Sequence, residues 1–272
     1  MTQARMRERP WHARPHAKRR GGRREPRRPQ SSGPVILYGW HTVTAALTNP
    51  ARRIRRLLAT ENAMRRLAEE GIVLTAAPER VRPDIIAAQL SPDAVHQGLL
   101  AEADPLPAPA LEDLGASSGI VLVLDQITDP HNVGAILRTA AAFAVAGVVT
   151  TARHSPETTG VLAKSASGAL ELVPIVVVQN LARAVAALKE RGFFILGLDS
   201  EGPVDLAKVE LSAPLALVLG AEGKGLRQGT RAACDQLAHL DLPGAIKSLN
   251  VSNAAALALY VTTRMLAGSD RA

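Results

Sequence analysis

The chain has 272 residues, 47% of them hydrophobic, which is enough for a sizeable core and for two domains. Its 32 Lys and Arg against 25 Asp and Glu give +7, but eleven of the basic and two of the acidic residues fall in the first 30, so that stretch carries +9 and the rest −2. The single cysteine, Cys234, excludes an internal disulfide. No stretch offers the about 18 consecutive apolar residues of a membrane span, and the N-terminus has no apolar signal-peptide core. A cytoplasmic protein is expected.

Residues 1–33 read as a disordered basic arm, since they lack an apolar period and Pro10, Pro15, Gly21, Gly22, Pro26 and Pro29 break any helix. The same breakers weigh against an amphipathic transit peptide. Polyanions such as RNA are the natural partner of the arm, through phosphate contacts and counterion release. A solvated extension with no specific role is the alternative. Residues 34–103 mix short helical patterns (41–47, 64–70, 81–90) with strand patterns (54–60, 72–75, 98–103). This predicts a small α/β domain. A linker, 104–117, begins with the semi-rigid, proline-rich run Asp104-Pro-Leu-Pro-Ala-Pro-Ala110.

From 118 to 268 the alternation is cleaner. Strands are predicted at 119–125, 147–150, 172–178, 193–198, 215–219 and 238–242, and helices at 132–145, 157–167, 181–191, 226–233 and 251–266. Near-continuous apolar strands alternating with helices predict an α/β domain whose mostly parallel sheet is covered on both faces. The last helix is apolar nearly all round, so it should be buried on several sides, within its own domain or against a partner subunit.

Three polar segments interrupt this domain, each after a strand, where open α/β folds place ligands. In the first, Asp129-Pro-His-Asn132-Val-Gly-Ala-Ile-Leu-Arg138, Asn132 suits a helix cap as well as a site. Arg138 stands among apolar neighbours. The second is Gly220-Ala-Glu222-Gly-Lys-Gly225, which has neither P-loop nor dinucleotide-fingerprint spacing. It reads as a tight turn, or as a backbone approach to a ligand that Glu222 makes more plausible. The third runs from Leu240 through a Pro-Gly turn to Ser248-Leu-Asn250-Val-Ser252-Asn253, where Ser252 or Asn253 would suffice as cap. No nucleophile elbow, Cys/His pair or metal-spaced cluster appears, and His41, His96, His131, His154 and His239 are scattered. Asn, Arg, Glu and Ser suit positioning and electrostatic stabilisation more than covalent catalysis.

Together the three segments resemble the signatures of the SpoU (TrmH-like) RNA ribose 2′-O-methyltransferases of the SPOUT superfamily, in the family's order. Tyr38-Gly39-Trp40-His41-Thr-Val and His96-Gln97-Gly98 resemble the family's ribosomal-protein-like substrate-binding domain. The layout is most similar to the 23S rRNA guanosine 2′-O-methyltransferases. The resemblance implies a parallel sheet with a C-terminal trefoil knot, a homodimer, and S-adenosylmethionine held by Gly220, Ala221, Gly223, Leu240, Leu242 and Leu249. It also implies that Arg138 acts at the ribose hydroxyl, with Asn132, Glu222, Ser248 and Asn250 orienting it. No metal is implied. The expected reaction is methyl transfer to a guanosine ribose of 23S rRNA. A tRNA methyltransferase of the same family and a non-catalytic RNA-binding assembly factor are the rivals. The turn 241–247 departs from the family's usual Pro-Met-x-Gly wording.

Overall fold

The apolar runs of the second half become the strands of one sheet. The computed structural model describes residues 33–115, 119–153 and 160–269; residues 1–32 of the predicted basic arm, His154 and the start of the helix predicted at 157 lie outside them. The small sheet is built from β1 (Val35–Tyr38), α1 (Trp40–Thr48), β2 (Ile54–Ala59), α2 (Glu61–Glu69), β3 (Pro78–Arg80), α3 (Pro83–Ala87) and β4 (Leu99–Ala103). Its strand order is β1-β4-β2-β3, with β4 antiparallel to both neighbours. The strand expected at 72–75 is not formed, and Val73 is 76% exposed. The place beside β2 is taken by Pro78–Arg80 instead, at an edge where proline is tolerated.

The large sheet follows: β5 (Ile120–Asp125), α4 (Pro130–Ala142), β6 (Gly147–Thr151), α5 (Gly160–Ala166), β7 (Ile175–Val178), α6 (Leu181–Glu190), β8 (Phe194–Leu198), β9 (Val204–Asp205), β10 (Leu215–Gly220), α7 (Gln228–Ala233), β11 (Gln236–His239) and α8 (Val251–Ser269). The seven strands run in the order β7-β6-β5-β10-β8-β11-β9, and every pairing is parallel. All six residues of β5 are buried, as expected of a central strand covered on both faces. Alternation along it feeds two cores. Leu122 and Leu124 pack with Ile136, Leu137 and Ala140 of α4 and with Ala255 and Leu259 of α8. Val121 and Val123 pack with Leu181, Val185 and Leu188 of α6. Truncating Leu137 to Ala would cost about 2–5 kcal/mol.

Two boundaries differ from expectation. β11 ends at His239, so Leu240 and Leu242 belong to a loop. α8 buries Val251, Ala255, Ala258 and Leu259, but Leu257 and Tyr260 are 46% and 57% exposed. The helix is thus buried along one side and presents apolar groups on another.

The small sheet is tied to the large domain by a buried ion pair. Arg52 Nη2 lies 2.7 Å from Glu171 Oε1, with the side chains 2% and 3% exposed. Asn49 Nδ2 donates to the other carboxylate oxygen at 2.7 Å. Among the described residues no helix is long and apolar enough to cross a membrane.

Candidate active site

Parallel strands put all their C-terminal ends on one rim, and the three polar segments leave from it. Gly220 is the register partner of Asp125 across β10 and β5. The loop after β11 leaves the same rim beyond β8.

The first turn of α4 is capped by Asp129, whose carboxylate accepts the His131 N–H at 3.1 Å, with Pro130 opening the helix. Asn132 is therefore not the cap; it is the third residue of the helix, within its first turn. Its side chain is used over a long range. Asn250 Nδ2 donates to Asn132 Oδ1 at 3.0 Å, across 118 residues of sequence. Asn250 Oδ1 accepts from the Ser252 N–H at 2.9 Å and from its hydroxyl at 2.6 Å. That assigns the amide orientation of Asn250. The cap of α8 is thus Asn250, and neither Ser252 nor Asn253 fills the role. One side chain ends a loop, starts a helix and reaches the first polar segment.

Arg138 is exposed and makes no hydrogen bond or ion pair among the described residues. Its apolar neighbours Ile136, Leu137 and Ala140 face the core, so they do not enclose it. Glu222 and Ser248 are also exposed, and no bond among the described residues joins them to the asparagine pair.

The glycine loop closes on itself. Gly225 N–H donates to the Ala221 carbonyl at 2.9 Å, and a Cβ on Gly220 would collide with the backbone of Gly225. Gly223 and Gly225 have φ of +74° and +62°. The glycines are thus required first by the turn. The 240–249 loop is built differently. None of its peptide N–H groups makes a backbone hydrogen bond among the described residues, and Leu240, Leu242 and Leu249 are half-buried. The Leu242 carbonyl accepts from Lys247 Nζ.

Sequence reasoning missed the groups beneath these loops. Asp125 and Asp199 each end or follow an apolar strand, β5 and β8, and both are buried. Asp125 Oδ1 accepts from Arg227 Nε at 2.6 Å, and its Oδ2 accepts the Arg227 N–H at 3.0 Å. Asp199 Oδ2 accepts from Arg231 Nη1 at 3.1 Å. The signal was present: a carboxylate closing an apolar strand needs a partner, and Arg227 and Arg231 are spaced four apart. Among the described residues no three His, Cys, Asp or Glu group as metal ligands.

Residues 119–260 match the SpoU rRNA Methylase family, and residues 36–109 match the RNA 2′-O ribose methyltransferase substrate-binding family. A 23S rRNA (guanosine-2′-O-)-methyltransferase RlmB of Pseudomonas putida is 37% identical over 241 residues, covering 84% of this chain and 95% of its own. That of Vibrio cholerae is 38% identical over 245 residues, covering 84% and 96%. In fold, the chain resembles the SpoU methyltransferase AviRb of Streptomyces viridochromogenes in complex with the cofactor AdoMet, at a TM-score of 0.71 and 24% identity over 85% of this chain and 90% of that one. A putative RNA methyltransferase of the TrmH family from Porphyromonas gingivalis gives a TM-score of 0.71 at 25% identity, over 85% and 90%. By sequence, fold and the order of its three polar segments, the chain belongs to the SpoU family of RNA methylases.

Proposed function

We propose that this protein transfers a methyl group from S-adenosylmethionine to the 2′-hydroxyl of a guanosine ribose in 23S rRNA. The observation that carries the reading is the Asn250–Asn132 hydrogen bond, which brings the first and third polar segments together on the helix that bears Arg138, a cation unpartnered among the described residues. The relatives' names supply the substrate and the cofactor.

The residues present fit the cofactor. The 240–249 loop offers peptide N–H groups without a backbone partner among the described residues, beside the half-buried Leu240, Leu242 and Leu249, and the turn formed by Gly220, Ala221 and Gly223 stands on the same rim. Apolar walls with a few backbone donors and acceptors suit an adenosine moiety. When bound, the cofactor supplies an electrophilic methyl on a sulfonium.

The remaining work falls to the chain's own groups. An arginine keeps its proton in proteins, so Arg138 serves as a fixed cation that stabilises charge developing on the ribose 2′-oxygen. Asn132 and Asn250 hold the start of α4 against the loop before α8. Glu222 and Ser248 stand at the rim, where they contact RNA or cofactor. The chain divides into a basic arm (1–33), an RNA-binding domain (34–103), a linker (104–117) and a catalytic domain (118–268). It works in the cytoplasm as a homodimer that covers Leu257 and Tyr260 of α8.

The test is incubation of protein-free 23S rRNA and, separately, of tRNA with methyl-labelled cofactor, followed by nucleoside mapping. Label in a guanosine 2′-O-methyl group is expected. Label confined to tRNA, or no ribose label from protein that binds the cofactor, would overturn the reading.

A further inference from the structure

The small sheet carries a cavity that methyl transfer leaves unused. It has a volume of about 450 Å³ and lies between the starts of α1 and α2 and the 94–98 turn. That is within the usual range for small-molecule sites. None of the residues lining it is acidic.

Its wall is a stack. Trp40 packs into the core and is only 2% exposed, and the guanidinium of Arg66 lies over its ring with Cζ 3.8 Å from the centroid. Glu70 tethers that guanidinium, accepting from Nε at 2.8 Å, yet the Arg66 side chain stays 49% exposed. An arginine plane resting on an aromatic ring, with its outer face open, is a platform for a further planar group.

Its edge is a set of donors. Gln97 Oε1 accepts from the Trp40 N–H at 3.0 Å and from Lys164 Nζ at 3.0 Å. Two donors on one oxygen fix the amide orientation, so the Nε2 hydrogens are left without a partner among the described residues. His96 Nδ1 accepts the Gly98 N–H at 3.1 Å, which puts the proton of the neutral ring on Nε2 as a second donor. Burial and the nearby Lys164 keep His96 below the usual histidine pKa, and so neutral. The backbone fixes these donors. Gln97 and Gly98 have φ of +54° and +80°, and a Cβ at Gly98 would strike Thr60 Oγ1.

We infer that this cavity takes one unstacked nucleobase of the RNA substrate, stacked on the outer face of Arg66, its acceptor-bearing edge met by Gln97 Nε2 and His96 Nε2. Sequence-reading of RNA depends on such splayed bases, stacked on aromatic or guanidinium planes. The inference rests on the RNA reading above. The subsite holds RNA and takes no part in the chemistry, so it acts on affinity.

The experiment uses the full chain and two substitutions. Arg66→Ala removes the platform. Gln97→Glu keeps an acceptor for Trp40 and Lys164 but replaces the donor edge. With protein-free 23S rRNA, each should raise the RNA KM about tenfold, the scale of one stacked base, with kcat and cofactor affinity unchanged. In a Trp11→Phe background Trp40 is the remaining tryptophan. A short single-stranded RNA of guanosine and uridine should quench its fluorescence saturably, whereas guanosine monophosphate or S-adenosylmethionine at equal concentration should not. An unchanged KM in both variants, or equal quenching by a free nucleotide, overturns the inference. Should Arg66→Ala fail to fold, Gln97→Glu decides. Should no ribose be methylated at all, the methyl-transfer reading fails and the quenching by RNA still decides the subsite.

Discussion

The rim of the large sheet is built on two opposite principles. Its floor is paired and buried: the Asp125 side chain is 0% exposed beneath Arg227, and Asp199 lies beneath Arg231. Its wall is open: Glu222 and Ser248 on the rim loops, and Arg138 further along the helix that leaves the rim, stand in solvent. Paired charges in a low-dielectric floor fix geometry at a desolvation cost. A cation unpaired among the described residues, as Arg138 is, keeps its charge open to an anion. The asparagine pair joins the two, since Asn132 belongs to a helix packed on the floor and Asn250 ends the open loop. Paired charges therefore lie below, and exposed polar groups above.

The sharpest way to separate wall from floor is Arg138→Ala. It should lower kcat about 10³-fold, as loss of a key electrostatic donor does, with cofactor affinity and unfolding midpoint unchanged. A matching loss of cofactor affinity or of stability would move Arg138 into the floor. The opposite pattern is expected of Arg227→Ala, which leaves the buried Asp125 carboxylate with one backbone donor. Because Arg227 is itself 38% exposed, the cost is about 2–3 kcal/mol, below that of a fully buried pair. Urea unfolding reads it. Adding Asp125→Asn removes the stranded charge and should recover part of the loss; no recovery would mean that the pair is not what stabilises the floor.

Next in size comes the joint. Asn132→Ala and Asn250→Ala should each cost about tenfold in kcat/KM, and the double variant no more than the worse single one, because partners in one bond are not additive. Asn250→Ala alone should also lose about 1 kcal/mol of stability as a helix cap. Simple additivity in activity would show that the two side chains act separately.

What the sequence revealed follows the same division. The parallel sheet was legible because β5 and β10 are unbroken apolar runs whose length and flanking turns leave little choice. The small sheet was less so. Pro78–Arg80 has no apolar signal, and its pairing with β2 is tertiary. Capping stayed open at α4 and was misassigned at α8, because Asn and Asp serve equally as cap and as site residue. Only the three-dimensional partner showed that Asp129 caps α4 and Asn250 caps α8. The two strand-end aspartates were readable in principle, but an aspartate becomes informative only when its strand is known to be covered on both faces.

The last expectation concerns the floor alone. Cys234 is half-buried beside β8, and its thiol donates to the Thr230 carbonyl at 3.3 Å. Burial first, and then the carboxylates of Asp235, Asp125 and Asp199, push the thiol up to about 12. The thiolate is the species that alkylates, so iodoacetamide at pH 8 should modify native Cys234 on the order of 10³-fold more slowly than the urea-unfolded chain. Residual labelling then reports opening of the floor. Arg227→Ala should speed it, and Arg138→Ala should leave it unchanged, because only the first substitution loosens the elements around Cys234. Native labelling at the rate of a free thiol would show that the floor opens readily, and the contrast between a rigid floor and an open wall would be lost.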